Sequence, residues 1–229
     1  MKNLLIFAIS SDLPQEGKST AAMAIKNNDG ILDLEEQTLY KCNSKILSLA
    51  NALKKDVCNK FNLDEQKMFN DEQYKCENRH YLIKHGQDER KIDKDVWVKK
   101  LSDEIDKNIG FDYLTVISIP DLRFVNELDY LISKYGKESV IHIHISVSDI
   151  VMKERKGWNS KEFFDWLNLQ NDKSEKDFIL GKTIGFRFAD LLIQPDYIVT
   201  NNRSKKVFED QIIAIVENEI VNMYKNGGK

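Results

Sequence analysis

The sequence contains little cysteine, proline or glycine: 3 Cys, 3 Pro and 10 Gly among 229 residues. Three cysteines without a CxxC pair are too few for a disulfide framework, and they fit a reducing compartment as ordinary thiols. So little proline and glycine excludes a low-complexity or linker-rich chain. The length then favours a single domain over residues 1–229, with lobes inserted into it.

An excess of charge of one sign is also missing. Lys and Arg number 34 against 37 Asp and Glu, which leaves a formal net charge of -3. This near cancellation argues against the dominant cationic surface that holds duplex DNA, and against an acidic disordered tail. We therefore expect no stable binding of nucleic acid.

No hydrophobic run is long enough to cross a membrane. The apolar run at residues 4–9 is too short for the core of a signal peptide, and no small-residue cleavage site follows it. A membrane span needs about 20 apolar residues, and no segment approaches that length. These absences predict a soluble, cytoplasmic protein without a membrane partner.

Hydrophobic patterning predicts strands that alternate with helices. Apolar runs indicate strands at residues 3–9, 45–49, 113–119, 140–147 and 196–200. Apolar positions at helical spacing indicate helices that begin after Gly17 and near Ala50, span residues 126–135, and close the chain from Ser204. This alternation predicts an α/β fold, with a parallel sheet covered by helices on both faces.

Two polar stretches interrupt this alternation. Residues 64–106 are highly charged and carry apolar positions at helical intervals, which predicts two or three helices. Residues 149–190 are polar, aromatic and basic by turns, and they indicate a helical excursion from the core. We expect both stretches to form movable lobes.

The segment Gly17-Lys18-Ser19-Thr20 stands between the first predicted strand and a helix, as a phosphate-binding loop does. In such a loop, backbone N–H groups converge on phosphate oxygens. Lys18 would reach the β- and γ-phosphates, and the Ser19 hydroxyl would hold Mg²⁺. The pattern is incomplete, because Asp12 replaces its first glycine and Glu16 adds a negative charge beside the phosphates. A capped helix N-terminus is the simpler alternative, but the preceding buried strand favours the phosphate loop.

A second candidate follows the strand at residues 113–119, where the chain continues Pro120-Asp121-Leu122-Arg123. A carboxylate at the carboxyl end of a central parallel strand lies in the crevice where ligands bind. There Asp121 would orient Mg²⁺ or accept a proton, and Arg123 would pair with a phosphate. The alternative is an Asp that caps the next helix, and this alternative is favoured when the segment is taken alone.

Further cations occur in the two polar stretches. Arg90 would clamp a substrate phosphate, while Trp97 anchors the same lobe in the core. Lys153, Arg155 and Lys156 follow the strand at residues 140–147, and Arg155 is the best candidate for a cation that closes over the reacting phosphates. In both places a solvated charged face is the plain alternative, and spacing alone favours it.

Histidines and aromatic residues raise two smaller questions. His142 and His144 lie two apart on one predicted strand and therefore face the same side. They form either a metal pair or a pair with hydrogen-bonded partners, and the second is favoured because no third ligand stands at useful spacing. The aromatic residues of the stretch at 149–190 predict a small core for that lobe: Trp158, Phe163, Phe164 and Trp166. Two further cations, Lys182 and Arg187, lie in the same stretch.

The order of these segments is more specific than any one of them. Together they resemble the bacteriophage-type deoxynucleoside monophosphate kinase family, whose members are P-loop kinases. The resemblance covers roughly residues 1–202, in the segments GKST, LSLANALKKDV, YLIKHGQDERKIDKDVWVKKL, VISIPDLRFVNEL, NDKSEKD and PDYIVTNN. Its most specific parts are residues 86–98 and 121–127.

This resemblance implies a P-loop kinase fold with an acceptor-binding lobe at about 50–108 and a lid at about 149–190. It also implies direct transfer of the γ-phosphoryl group of ATP, with Mg²⁺, to a deoxynucleoside 5′-monophosphate. Small nucleotides are then the expected partners, and formation of a homodimer is left open.

The resemblance assigns roles to the residues that match the family's motifs. It makes Lys18, Asp121, Arg123 and Arg155 catalytic, with Asp121 also a metal ligand and Arg155 the cation of the lid. The other assignments concern binding: Gly17, Lys18, Ser19 and Thr20 for the ATP phosphates and metal; Asn202, beside Asn201, near the ATP base; and Lys54 and Arg90 for the acceptor phosphate, with Trp97 and Glu127 supporting them.

Two departures from the family pattern keep other functions open. Asp12, Pro14 and Glu16 indicate a reshaped ATP cradle, and residues 27–44 are an insertion that the pattern lacks. The second hypothesis is therefore a P-loop kinase for a modified nucleotide, a base hydroxymethyl group or another small phosphorylated metabolite. The third is a nucleotide-binding protein without catalysis.

Overall fold

The computed structural model describes residues 3–11, 15–28, 30–33, 38–110, 113–163, 165 and 194–227. The strands in these ranges are β1 (Leu4–Ser11), β2 (Gly30–Asp33), β3 (Thr38–Ile46), β4 (Leu114–Ile119), β5 (Val140–Ser146) and β6 (Tyr197–Thr200). They form one sheet in the order β2-β3-β4-β1-β5-β6. The strands from β3 to β6 in that order run parallel, while β2 pairs antiparallel with β3.

Helices cover both faces of the sheet. Their bounds are α1 (Lys18–Lys26), α2 (Leu49–Phe61), α3 (Glu65–Asn70), α4 (Glu72–Glu77), α5 (Arg79–Ile92), α6 (Val96–Asn108), α7 (Val125–Tyr135), α8 (Asp149–Lys156) and α9 (Lys205–Gly227). On one face, α1 and α9 pack on Leu5, Phe7 and Ile9 of β1. On the other face, α2, α6 and α7 pack on Leu4, Ile6 and Ala8. Because both sets of alternating side chains are covered, the central strands consist almost entirely of buried residues.

This arrangement confirms the predicted α/β fold with a parallel sheet between two helical layers. It also confirms the predicted strands in β1, β4, β5 and β6, and the helices that became α1, α7 and α9, to within two residues at most of the boundaries that were given. The prediction succeeds in these elements because a local pattern of apolar residues marks each of them.

The strand predicted at residues 45–49 has the wrong bounds. β3 ends at Ile46 and α2 begins at Leu49, so the last predicted strand residue is the first of the helix. Residues 42–46 are strand because they pair in parallel with β4. The inserted segment at residues 27–44 contributes β2 and most of β3, and the four-residue connection after Asp33 permits only an antiparallel pairing.

The first polar stretch contains four helices, α3 to α6, where two or three were predicted. Asp64 and Asp71 each accept a hydrogen bond from a backbone N–H three residues later, and so they begin two short helices in a region that the pattern joined. Most of the predicted lid lies outside the described residues, including Phe164, Trp166, Lys182 and Arg187, and so do Asp12 and Pro14. Met152 and Phe163 of the described part are buried together beside Trp158.

The helices of the described ranges are too short or too polar to cross a membrane.

Candidate active site

The loop after β1 turns sharply into α1 at Gly17. Gly17 has φ of 115°, a left-handed conformation that glycine adopts without the penalty of a Cβ atom. Its carbonyl accepts the first helical hydrogen bond, from Ala21 N at 2.9 Å. The Lys18 ammonium donates to the Ser11 hydroxyl at the end of β1, and the Ser19 side chain is exposed. The first N–H groups of a helix lack intrahelical partners, so this turn is suited to bind phosphate oxygens.

Glu16 does not face outward from this loop. The residue is buried, with 1% of its surface exposed, and Oε1 accepts a hydrogen bond of 3.3 Å from Val147 N just after β5. The expectation of a carboxylate beside the phosphates is therefore corrected. The side chain is turned into the protein, where the end of the neighbouring strand supplies a donor.

The basic end of α8 lies against the loop between β1 and α1. The Lys156 ammonium donates to the side-chain oxygen of Gln15. Arg155 Nη2 donates to the Asn201 side chain at 3.2 Å and to the Arg203 carbonyl at 2.8 Å. The structure therefore brings the predicted lid cation close to the loop that carries Lys18.

Asn202 lies beside this group. Its side-chain oxygen accepts a hydrogen bond of 2.8 Å from Ser148 N, and the side chain is exposed. Asn201 precedes it and is buried, with hydrogen bonds to both the loop and Arg155. The two asparagines thus fix the end of β6 against the loop after β1.

Asp121 follows β4 and caps α2. Ser48 Oγ donates to Oδ2 at 2.6 Å, Ala50 N donates to Oδ2 at 2.8 Å, and Leu49 N donates to Oδ1 at 3.1 Å. A carboxylate has about four acceptor positions, so these bonds leave it about one, on Oδ1, for a metal ion or its water. The alternative prediction, that Asp121 caps a helix, is thus confirmed, but the helix is α2 and not the helix that follows Asp121 in the chain.

Arg90 is held by two residues of the segment after β4. Its Nη2 lies 3.5 Å from Glu127 Oε1, and its guanidinium lies 4.6 Å from the centre of the Phe124 ring. Glu127 Oε2 accepts hydrogen bonds of 3.0 Å from the amides of Arg123 and Phe124. Burial raises the pKa of Glu127, while Arg90 and the two amides oppose that rise. The Arg123 side chain is exposed.

Lys54 and Trp97 belong to the same lobe. The Lys54 ammonium lies 4.8 Å from the centre of the Phe69 ring. Partial burial, and then the positive charge of Lys75, lower the pKa of Lys54, and Asp121 acts in the opposite direction. Trp97 is buried, and its indole N–H donates to the Gly86 carbonyl at 3.3 Å, which ties α6 to α5.

The loop after β1 and the loop after β4 leave the sheet at the same edge. Ile119 of β4 pairs in register with Ala8 of β1, and the strands are parallel. The loop with Gly17 and Lys18 and the loop with Asp121 and Arg123 therefore begin side by side, as ligand-binding loops of α/β sheets do. This pairing does not fix the distances from Lys18 to Arg90 and to Arg123. That the three cations act together therefore stays a prediction.

His142 and His144 form a buried pair with Ser10. Ser10 Oγ lies 2.7 Å from His142 Nε2 and 2.9 Å from His144 Nδ1, which confirms hydrogen-bonded strand histidines. Among the described residues, no group of three or more His, Cys, Asp or Glu side chains is placed to hold a metal ion. For Mg²⁺, Ser19 is exposed at the start of α1, and Asp121 retains about one acceptor position.

Sequence reasoning missed the contacts of Ser48, Phe124 and Gln15. A serine directly before a helix is a recognisable capping signal, which would have placed the start of α2 correctly. The contacts of Phe124 with Arg90 and of Gln15 with Lys156 join segments distant in the chain, and no local pattern signals them.

Comparison with known proteins gives remote similarities to kinases. The family model described as phosphomevalonate kinase matches residues 28–137, just under half of the chain. No curated protein matches the chain significantly.

Two solved structures align over nearly the whole chain at low identity. Dephospho-CoA kinase from Campylobacter jejuni is 14% identical, with 93% of this chain and 96% of that chain covered, at a TM-score of 0.40. A gluconokinase from Sinorhizobium meliloti 1021 is 11% identical, with 99% of each chain covered, at a TM-score of 0.44. Likeness at this level does not identify a substrate.

The strand order and the loop between β1 and α1 fit the α/β fold predicted from the sequence.

Proposed function

We propose that the protein transfers the γ-phosphoryl group of ATP to a deoxynucleoside 5′-monophosphate. The observation that carries this proposal is the contact between the phosphate loop and the basic end of α8. Lys156 binds Gln15 of the loop, and Arg155 reaches the loop through Asn201. Two cations of α8 are thus held beside the N-terminus of α1, which is what an anion with several phosphates requires.

Transfer would be direct and in line, without a covalent enzyme intermediate. The Gly17 amide and Lys18 would bind the ATP phosphates, and Arg155 would neutralise charge as it develops on the transferred group. Ser19 would hold Mg²⁺, which when bound neutralises the phosphate oxygens. Asp121 would act from its remaining acceptor position.

The proposed acceptor site is the lobe formed by α2, α5, α6 and the start of α7. Glu127 and Phe124 hold the Arg90 guanidinium in one orientation, so little side-chain freedom is lost when it binds a phosphate. The Lys54 side chain is partly buried, which lowers its pKa, and such a cation gains from an anionic ligand. The choice of a deoxynucleotide is supported by the family motifs in residues 86–98 and 121–127.

One observation favours a second acceptor class. The match to the phosphomevalonate kinase family spans residues 28–137, and so it includes the proposed acceptor lobe but not the phosphate loop. A small phosphorylated metabolite such as phosphomevalonate is therefore the second candidate. The cations of the acceptor lobe would bind either phosphate.

An acceptor panel with ATP and Mg²⁺ separates these possibilities. We expect ADP release that depends on a deoxynucleoside monophosphate. Activity confined to phosphomevalonate would replace the deoxynucleotide by the second class. Tight ATP binding without transfer to any acceptor would instead support a nucleotide-binding protein without catalysis.

A further inference from the structure

Asn201 is buried between three segments of the proposed ATP site. It follows β6 directly, and 8% of its surface is exposed. Its backbone N–H donates to the Ser146 carbonyl at 2.8 Å, which fixes the residue at the end of β5. Its side chain is therefore presented from a rigid position, at the junction of the phosphate loop and α8.

The side-chain nitrogen of Asn201 holds the last peptide of the phosphate loop. Nδ2 donates to the Glu16 carbonyl at 2.9 Å. The peptide between Glu16 and Gly17 is planar and trans, so a fixed Glu16 carbonyl also fixes the Gly17 N–H, which points the opposite way. A Cβ atom added to Gly17 would lie 2.6 Å from this same nitrogen, which shows how closely the two residues approach.

The side-chain oxygen of Asn201 holds the cation of α8. Oδ1 accepts from Arg155 Nη2 at 3.2 Å. A carboxamide can donate from one atom and accept at the other at the same time, which a carboxylate cannot do. The same side chain therefore links the loop amide to Arg155.

We propose that Asn201 is a positioning residue that couples the orientation of the phosphate loop to the placement of Arg155. The proposal rests on the proposed function, since it assumes that ATP phosphates bind this loop. Asn201 need not touch ATP in order to act. Its effect passes through the Gly17 amide on one side and the Arg155 guanidinium on the other.

The test compares Asn201→Asp, Asn201→Ala, Arg155→Ala and the double variant Asn201→Ala/Arg155→Ala. Asn201→Asp keeps an acceptor for Arg155 but places a carboxylate oxygen against the Glu16 carbonyl. We expect the dissociation constant of ATP, measured by calorimetry, to rise by about tenfold, the effect of one lost hydrogen bond. The KM for the acceptor should stay within about twofold, because the acceptor lobe is held by other residues.

The double variant tests the coupling. If Asn201 positions Arg155, then Arg155→Ala should weaken ATP binding less in the Asn201→Ala background than in the unaltered chain, by about fivefold. Additive effects of the two substitutions would overturn the coupling. Unchanged ATP affinity in Asn201→Asp would overturn the role in the loop.

Two controls separate this proposal from folding and from the function itself. Asn218→Asp changes an exposed asparagine of α9 and should leave ATP affinity unchanged. If Asn201→Asp does not fold, as judged by circular dichroism, Asn201→Ser serves in its place with the same expected loss of affinity. ATP binding by the unaltered chain without transfer to any acceptor would refute the kinase function but would still test Asn201. Absence of ATP binding would refute both.

Discussion

The hydroxyl of Ser48 donates a hydrogen bond of 2.6 Å to the carboxylate of Asp121, across 73 positions of the chain. The same carboxylate accepts from the first two amides of α2. The end of the central strand β4 thus sets where the first helix of the proposed acceptor lobe begins. Any role of Asp121 in catalysis is combined with this structural one.

Replacement of Asp121 by alanine should lower the free energy of unfolding by about 1–2 kcal/mol, because α2 loses its cap. Urea unfolding followed by circular dichroism measures this change. Asp129→Ala, at an exposed carboxylate of α7, is the matched control and should have no effect beyond about 0.5 kcal/mol. Equal stability of the two variants would contradict the capping role.

Replacement of Lys18 by alanine should lower kcat by about 10²- to 10³-fold, since a charge that stabilises the transferred phosphoryl group is removed. The measurement is steady-state ADP release with the best acceptor of the panel. Lys26→Ala removes an exposed lysine at the other end of α1 and should leave kcat unchanged. A near-normal rate in Lys18→Ala would show that the phosphate loop is wrongly assigned.

The substitutions Gly17→Ala and Gly157→Ala should differ in their effect on ATP binding. Both glycines have positive φ, 115° and 64°, so both substitutions carry backbone strain. Only the Cβ at Gly17 would meet neighbours, at 2.6 Å from Asn201 Nδ2, whereas nothing lies within 4 Å of a Cβ at Gly157. We expect Gly17→Ala to weaken ATP binding by at least about tenfold.

Gly157→Ala controls for a positive φ without a steric contact, and its ATP affinity should stay close to that of the unaltered chain. Calorimetric titration with ATP measures both variants. If they bind ATP equally well, contact at Gly17 does not shape the loop.

Acid should destabilise the fold through His142. Burial, and then the neighbouring His144, lower the pKa of His142 to about 4, while Asp196 raises it and Lys137 lowers it further. An unfolded histidine has a pKa of about 6.5, so between these values the unfolded chain binds more protons than the folded chain. Stability is therefore unaffected above about pH 6.5 and falls as the pH drops toward 4, by at most about 1.4 kcal/mol per pH unit.

Urea unfolding at several pH values between 7 and 4.5 tests this effect. His142→Gln should remove the contribution and flatten the curve, whatever its stability at pH 7. His80→Gln, at an exposed histidine, should leave the slope unchanged. The same slope in His142→Gln as in the unaltered chain would exclude His142 as the source.

The parts of the fold that the sequence predicts well are those that local patterns determine. β1 and β4 consist mostly of apolar, buried residues, and they lie within two residues of the positions that this pattern predicts. The contact of Asp121 with the start of α2 joins distant segments, although the nearby Ser48 is a local signal for that start. The antiparallel edge is a local hairpin between β2 and β3, but residues 27–44 were treated only as an insertion, so its strands were not expected.

The residues of the candidate site also fall into two sets, those that a local pattern predicts and those that distant contacts position. Gly17 and Lys18 were predicted from residue types at a fixed spacing, and they stand at the turn into α1. The direction of the Glu16 side chain was not predictable, because its donor, Val147 N, is 131 positions away. The link from the loop through Asn201 to Arg155 likewise joins residues from three separate segments.

The buried side chain of Glu16 bears on what the proposed phosphate loop requires of its sequence. Phosphates would be bound there by peptide groups, so the requirement concerns the path of the main chain more than the identity of each side chain. An acidic residue is accommodated within such a loop when its side chain turns inward and an adjoining strand end supplies a hydrogen-bond donor, as Val147 N does here. A sequence-motif search that excludes acidic residues from the phosphate loop would therefore miss chains of this kind.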